Sequence, residues 1–137
     1  MIDENCIFCQ IANGEIPSKT VYEDDDFRVI LDLGPASKGH ALILPKDHYN
    51  DLYELTDDLT GKAFILAKKI SILLKKKLNC EGLNLVQNNG RTAGQTVFHF
   101  HIHIIPRYND DQQKIGWKPQ EVTQEELEDT LQKIFES

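Results

Sequence analysis

A chain of 137 residues with 40% hydrophobic and 27% charged side chains has the composition of one globular domain that needs no disulfide staples. A formal net charge of −7 argues against a broad nucleic-acid-binding face, which would be basic. No apolar run approaches the roughly 20 residues of a membrane span, and the polar start MIDENCIFC holds no apolar signal region, so a cytoplasmic protein without a membrane partner is expected.

Along the chain, Ile7 to Asn13 reads as a short helix stopped by Gly14, with Pro17 beyond it. Thr20–Tyr22 and Phe27–Leu31 read as strands separated by the acidic turn Glu23–Asp26. Gly34–Gly39 is a loop, and His40–Leu44 is a third strand closed by Pro45. A long helix follows, with Thr56 as N-cap and Leu59, Ala63, Leu66, Ile70 and Leu73 at helical spacing. Phe64, Ala67, Leu74 and Leu78 widen that stripe, and Lys75–Lys77 suit its C-terminal end. Leu83–Asn88 is a fourth strand, Asn89–Gly94 a loop, and Val97–Ile105 a fifth strand ending before Pro106. Thr123 and Glu126 form a capping box for a short final helix carrying Leu127, Leu131 and Ile134. The order predicts an α+β fold: a five-stranded antiparallel sheet, one long helix and a short C-terminal helix.

The fifth strand carries the chemistry. His99, His101 and His103 alternate with Phe100, Ile102 and Ile104, so a strand would put the histidines on one face and anchor the other under the helix. A row of imidazoles serves either as a metal site or as a nucleophile with neighbours that orient it and supply protons. Asn88, Asn89, Gly90, Gly94, Gln95 and Thr96 lie just upstream, and such amides, hydroxyls and tight turns suit phosphate oxygens. Cys6 and Cys9 have the spacing of zinc ligands. A redox pair and two idle thiols remain open for them, although the strand–helix context of a redox motif is missing. Cys80, at the end of the long helix, is expected to pack.

The segment Gly94-Gln95-Thr96-Val97-Phe98-His99-Phe100-His101-Ile102-His103-Ile104-Ile105 resembles the motif of the histidine triad (HIT) family. The likeness extends from Cys6-Ile7-Phe8-Cys9 through Leu31-Asp32 and Lys38–His48 to Pro106-Arg107, and the N-terminal Cys-x-x-Cys is similar to the Hint-related bacterial branch. It implies a single HIT domain over 1–137, with a core of about 6–108 and a C-terminal extension over 109–137. It further implies a purine nucleotide hydrolase or transferase that attacks the α-phosphorus with His101 and forms a nucleotidyl-histidine intermediate. Residue by residue, it puts His103 beside the phosphate with His40 supporting it, Thr96 on the leaving group or a phosphate oxygen, and Gln95 orienting the phosphate or the water. Asn88 would contact phosphate, Asp32 would accept from the ribose hydroxyls, and Leu33 would pack on the base.

The same resemblance implies a structural zinc on Cys6, Cys9, His48 and His99, which the chemistry itself would not need, and a homodimer formed through the long helix and one strand. Nucleoside phosphoramidates such as AMP conjugates are the expected substrates, with dinucleoside polyphosphates as the alternative. A nucleotide-binding regulatory protein with incidental hydrolysis, and a hydrolase with zinc on the triad itself, stand as rivals. Residues 114–119 are expected near the leaving-group pocket, with Trp117 either there or in a core or interface.

Overall fold

The computed structural model describes residues 1–136. Its elements are α1 (Ile7–Ala12), β1 (Thr20–Glu23), β2 (Phe27–Leu31), β3 (Ala41–Pro45), α2 (Asp57–Leu78), β4 (Gly82–Val86), a 3-10 turn (Arg91–Ala93), β5 (Ile102–Arg107) and α3 (Gln124–Phe135). The five strands form one antiparallel sheet in the order β1-β2-β3-β5-β4, as the α+β reading expects.

Alternation along the strands assigns the two faces. Phe27 and Val29 of β2, Ala41 and Ile43 of β3, and Ile102 and Ile104 of β5 are buried with Ala63, Leu66, Ala67, Ile70 and Leu74 of α2. The intervening Ile30, Leu42 and Leu44 face the other way and pack with Ala12, Phe8 and Ile11 of α1. The sheet is thus covered by α2 on one face and by the small α1 on the other. His103 pairs with Leu42 across β3 and β5, which places it on the α1 side.

Local chemistry sets the ends of α2. The Thr56 hydroxyl accepts from the Leu59 amide, and Asn79 closes the helix in the left-handed region, after three lysines that suit the C-terminal dipole. Gly39 packs against the last turn of α2. Its φ is +89°, and a Cβ there would run into the Leu78 side chain, so only glycine lets the chain pass into β3.

Four of the five strands differ in their bounds from the sequence reading, β1 and β3 by one residue and β4 and β5 by more. β4 ends at Val86 and leaves Gln87 and Asn88 in the loop. β5 begins at Ile102, five residues later than expected, and runs through Pro106. The proline is tolerated because pairing with β3 ends at Ile104; its carbonyl instead accepts from the Ser37 hydroxyl, on the side where an N–H would have had no strand partner. Residues 97–101 lie outside any ladder, with the chain bending at 97–99. Phe100 is buried in the α2-side core, yet its amide donates to the Tyr49 carbonyl at 2.6 Å instead of to a strand.

The end of the chain carries apolar residues outward. The α3 helix has its capping box at Thr123 and Glu126 but buries no residue, and Leu127, Leu131 and Ile134 are exposed. Trp117 is 89% exposed, so it is not a core residue of this chain. No helix among the described residues is long and apolar enough to cross a membrane.

Candidate functional site

A pocket of about 570 Å³ opens between α1 and the sheet. Phe8, Ile11, Ile30 and Leu42 make its apolar wall, while Asp32, Thr96, His101 and His103 supply the polar end. That mixture, mostly apolar with a few converging polar groups, is the usual form of a small-molecule site.

Each imidazole has its tautomer set by a partner of known sense. His101 Nδ1 lies 2.7 Å from the His99 carbonyl, which can only accept, so Nδ1 carries the proton and the Nε2 lone pair is left free. Burial pushes His101 below its ordinary range, which keeps the ring neutral at pH 7. Phe8 packs edge-on against that ring, with centroids 5.0 Å apart at 89°. The group has the orientation and protonation state of a nucleophile or a base.

His103 and His40 form a directed chain. The Ala36 amide donates to His40 Nδ1 at 2.9 Å, so His40 carries its proton on Nε2 and donates it to His103 Nδ1 at 3.0 Å. His103 then holds its own proton on Nε2 as a donor. Burial, reinforced by repulsion from His101 and His40, pushes His103 down to about 4; burial also lowers His40, opposed by Asp32. Asp32 Oδ2 stands 3.6 Å from His40 Nε2, and its Oδ1 accepts the Gly34 amide at 2.8 Å.

Asp32, His40 and His103 offer three ligand-type atoms within 4.8 Å of one another. The tautomers count against a metal there. A cation on His40 Nε2 would force the proton onto Nδ1, directly against the Ala36 N–H. The triad face is accordingly organised for hydrogen bonding, and the rival with zinc on the triad loses its support.

The second cluster is built the opposite way. Cys6, Cys9, His48 and His99 bring their ligand atoms within 4.8 Å of one another. Cys6 Sγ lies 3.3 Å from His99 Nδ1, and Cys9 Sγ lies 3.4 Å from His48 Nδ1 and 3.5 Å from His99 Nδ1. A tetrahedron with Zn–S of about 2.3 Å and Zn–N of about 2.0 Å has S···N edges of about 3.5 Å, so the four donors fit the ion. His99 donates Nε2–H to the Pro45 carbonyl at 2.9 Å, and His48 donates Nε2–H to Asn50 Oδ1 at 2.7 Å. Asn50 is oriented in turn by its own amide N–H on Glu54. Both Nδ1 lone pairs thereby face the sulfurs, as second-shell partners of a metal site require. The Cys9 thiol is pushed up to about 11, chiefly by burial, so it stays protonated until a cation displaces the proton.

The remaining sequence candidates are placed less centrally. Thr96 lines the pocket, and Leu33 lies at its rim, 96% exposed. Asn88 is half-buried beside Gly94, outside the pocket lining. Gln95 is 2% exposed. Its Oε1 accepts the Gly90 amide, and its Nε2 donates to the Asn50 and Val97 carbonyls, so the amide is spent on holding loops together. Residues 114–119 and Trp117 do not line the pocket. Sequence reasoning missed Phe8, whose position inside the Cys-x-x-Cys was a usable signal, and Asn50, two residues after His48. It also could not see the backbone groups of Ala36, Pro45 and Tyr49.

The pocket and its oriented imidazoles are built largely from a stretch of the chain that a known family shares. The HIT domain profile matches residues 13–110, and the chain belongs to that family. It is 47% identical over 129 residues to a HIT-like protein of Methanocaldococcus jannaschii, covering 94% of this chain and 98% of that one. It is 40% identical over 124 residues to the adenosine 5'-monophosphoramidase hnt1 of Schizosaccharomyces pombe, covering 90% of each. Among solved structures, a HIT family member from Bacillus subtilis superposes with a TM-score of 0.88 at 42% identity, covering 96% of this chain and 95% of that one. A zinc-bound histidine triad protein from Mycobacterium smegmatis gives 0.77 at 35% identity, covering 85% and 84%.

Proposed function

We propose that the protein hydrolyses or transfers purine nucleotides by attack on the α-phosphorus, with nucleoside phosphoramidates as the favoured substrates. The observation that carries this reading is the His101 Nδ1–H bond to the His99 carbonyl, which leaves Nε2 free at the polar end of the pocket. In the first step a P–Nε2 bond forms as the bond to the leaving group breaks, and the leaving atom takes the electron pair and a proton from solvent, which the attacking water of the second step gives back. Positive charge develops on the ring, where the carbonyl bonded to Nδ1–H opposes it. The His103 Nε2–H stabilises a phosphate oxygen, its direction fixed by His40. Water then attacks phosphorus, the P–Nε2 bond breaks, and the mononucleotide leaves, so one difficult displacement becomes two easier ones.

Asp32 is the ribose acceptor in this reading, through the oxygen not committed to Gly34, and the α1 wall holds the base. The phosphoramidase name of the fission yeast relative supports the substrate class. Zinc is proposed on Cys6, Cys9, His48 and His99, as a cross-link without an open coordination position. A homodimer is proposed through α2 and the edge strand β4, whose outward Ile65, Ile72 and Leu85 are exposed.

The test compares AMP release from an adenosine phosphoramidate and from diadenosine tetraphosphate by the wild-type protein and by His101→Ala. The reading expects faster turnover of the phosphoramidate and none by the variant. Turnover retained by His101→Ala and abolished by chelation would move the chemistry to the metal.

A further inference from the structure

The two clusters meet in one residue. His99 contributes its ring to the Cys6/Cys9/His48 cluster and its backbone carbonyl to Nδ1 of His101. That carbonyl lies in residues 97–101, ahead of the first ladder pair of β5 at Ile102, so the sheet does not hold it. What holds it is the segment 45–50. Pro45 accepts from the His99 ring, Tyr49 accepts from the Phe100 amide, and His48 belongs to the cluster that includes His99. A second route runs through α1, because Phe8, between the two cysteines, packs edge-on against both His99 and His101.

We propose that this centre, when it holds its metal, is a positioning device for the nucleophile: by clamping His99 between α1 and the 45–50 segment it fixes the carbonyl that sets the tautomer and direction of His101. His48, Cys6 and Cys9 are then positioning residues for the reaction, acting through His99 and Phe8 without touching substrate. The inference rests on the reading of His101 as nucleophile. It goes beyond a structural staple, because a staple would only change the temperature at which the fold is lost. Breaking the clamp lets the 97–101 segment shift and the His101 ring exchange tautomers, which turns the Nε2 lone pair into an N–H that cannot attack.

The experiment uses the full chain in five states: zinc-loaded wild type, wild type stripped by a chelator, the stripped protein reloaded with zinc, His48→Ala, and His101→Ala as the assignment control. Bound zinc, thermal midpoint, kcat and KM on an adenosine phosphoramidate, and long-range proton–nitrogen spectra of the imidazoles are measured well below the midpoint. The loaded wild type is expected to show a single Nδ1–H tautomer for His101. Stripping and His48→Ala are expected to give mixed tautomers and a fall in kcat of about 10–100-fold, with KM changed by less than about threefold. Reloading restores the stripped wild type. Unchanged tautomer and kcat despite lost zinc and a lower midpoint would overturn the proposal, as would wild type that takes up no stoichiometric zinc. If His101→Ala itself turns over, the nucleophile reading has failed, while the tautomer spectra still decide whether the metal positions the ring. The stripped wild type keeps the test intact if His48→Ala does not fold.

Discussion

Two clusters of metal-capable side chains lie within a few residues of each other on this fold, and they are wired in opposite senses. At Cys6, Cys9, His48 and His99, the Nε2–H groups point outward to Asn50 and Pro45, so both Nδ1 lone pairs converge with the thiols on one point. At Asp32, His40 and His103, the Ala36 amide begins a one-way chain of donors that delivers an N–H toward the pocket. The residue types are nearly the same. What separates the two clusters is the hydrogen-bond partner behind each ring, a proton-accepting oxygen of Pro45 or Asn50 in the first and the Ala36 N–H relayed through His40 in the second, because one proton on a neutral imidazole decides which nitrogen donates. His101 lies between them: its Nδ1–H bonds the carbonyl of His99 from the first cluster, and its ring centroid is 4.9 Å from that of His103 in the second, which is where the proposed mechanism needs its nucleophile.

Substitutions can break this contrast at graded cost. The largest effect belongs to His101→Ala, which is expected to lower kcat by at least about a thousandfold while leaving zinc content at the wild-type value, checked by turnover and metal analysis on the same sample. His40→Ala should cost up to about a hundredfold in kcat, since His103 loses the donor that orders its proton; again zinc content is unaffected. Asp32→Asn should act on binding, raising KM about tenfold with a smaller change in kcat, because a charged acceptor is lost from the ribose side. A change in zinc stoichiometry for either of the last two variants would contradict the separation of the clusters.

The smallest effect is a pH slope. His103 is held down to about 4, first by burial, whereas an unfolded histidine titrates near about 6.5. The unfolded chain therefore binds more protons between those values, so stability is full above about pH 6.5 and falls as pH drops toward about 4. Thermal unfolding of chelated protein at a series of pH values checks this, and His103→Asn should flatten the slope relative to wild type.

Much of this was legible in the sequence because periodicity reports burial. The alternation of Phe100, Ile102 and Ile104 with the histidines correctly gave which residues enter the α2-side core. It did not give pairing, since an apolar pattern reports which side chains enter the core and not which backbone groups form a ladder; the Phe100 amide finds Tyr49, and β5 starts only at Ile102. Cys6, Cys9, His48 and His99 come together as the resemblance implied, although 93 residues separate Cys6 from His99. Gln95 shows the limit from the other side. An amide suits a phosphate or a loop equally well, and only the placement of Gly90 and Asn50 reveals that its atoms are already committed. The tautomers were beyond the sequence, because the hydrogen-bond chains that set the pocket-facing rings start at backbone groups, the His99 carbonyl for His101 and the Ala36 amide, through His40, for His103.

The measurement that tests the account most directly is a covalent trap. Wild type and His101→Ala are mixed with an adenosine phosphoramidate, quenched within a single turnover, and examined by intact mass and peptide mapping. The account predicts an adenylyl group on wild type alone, mapped to His101. An adenylyl group on another residue, or on the variant, would contradict it.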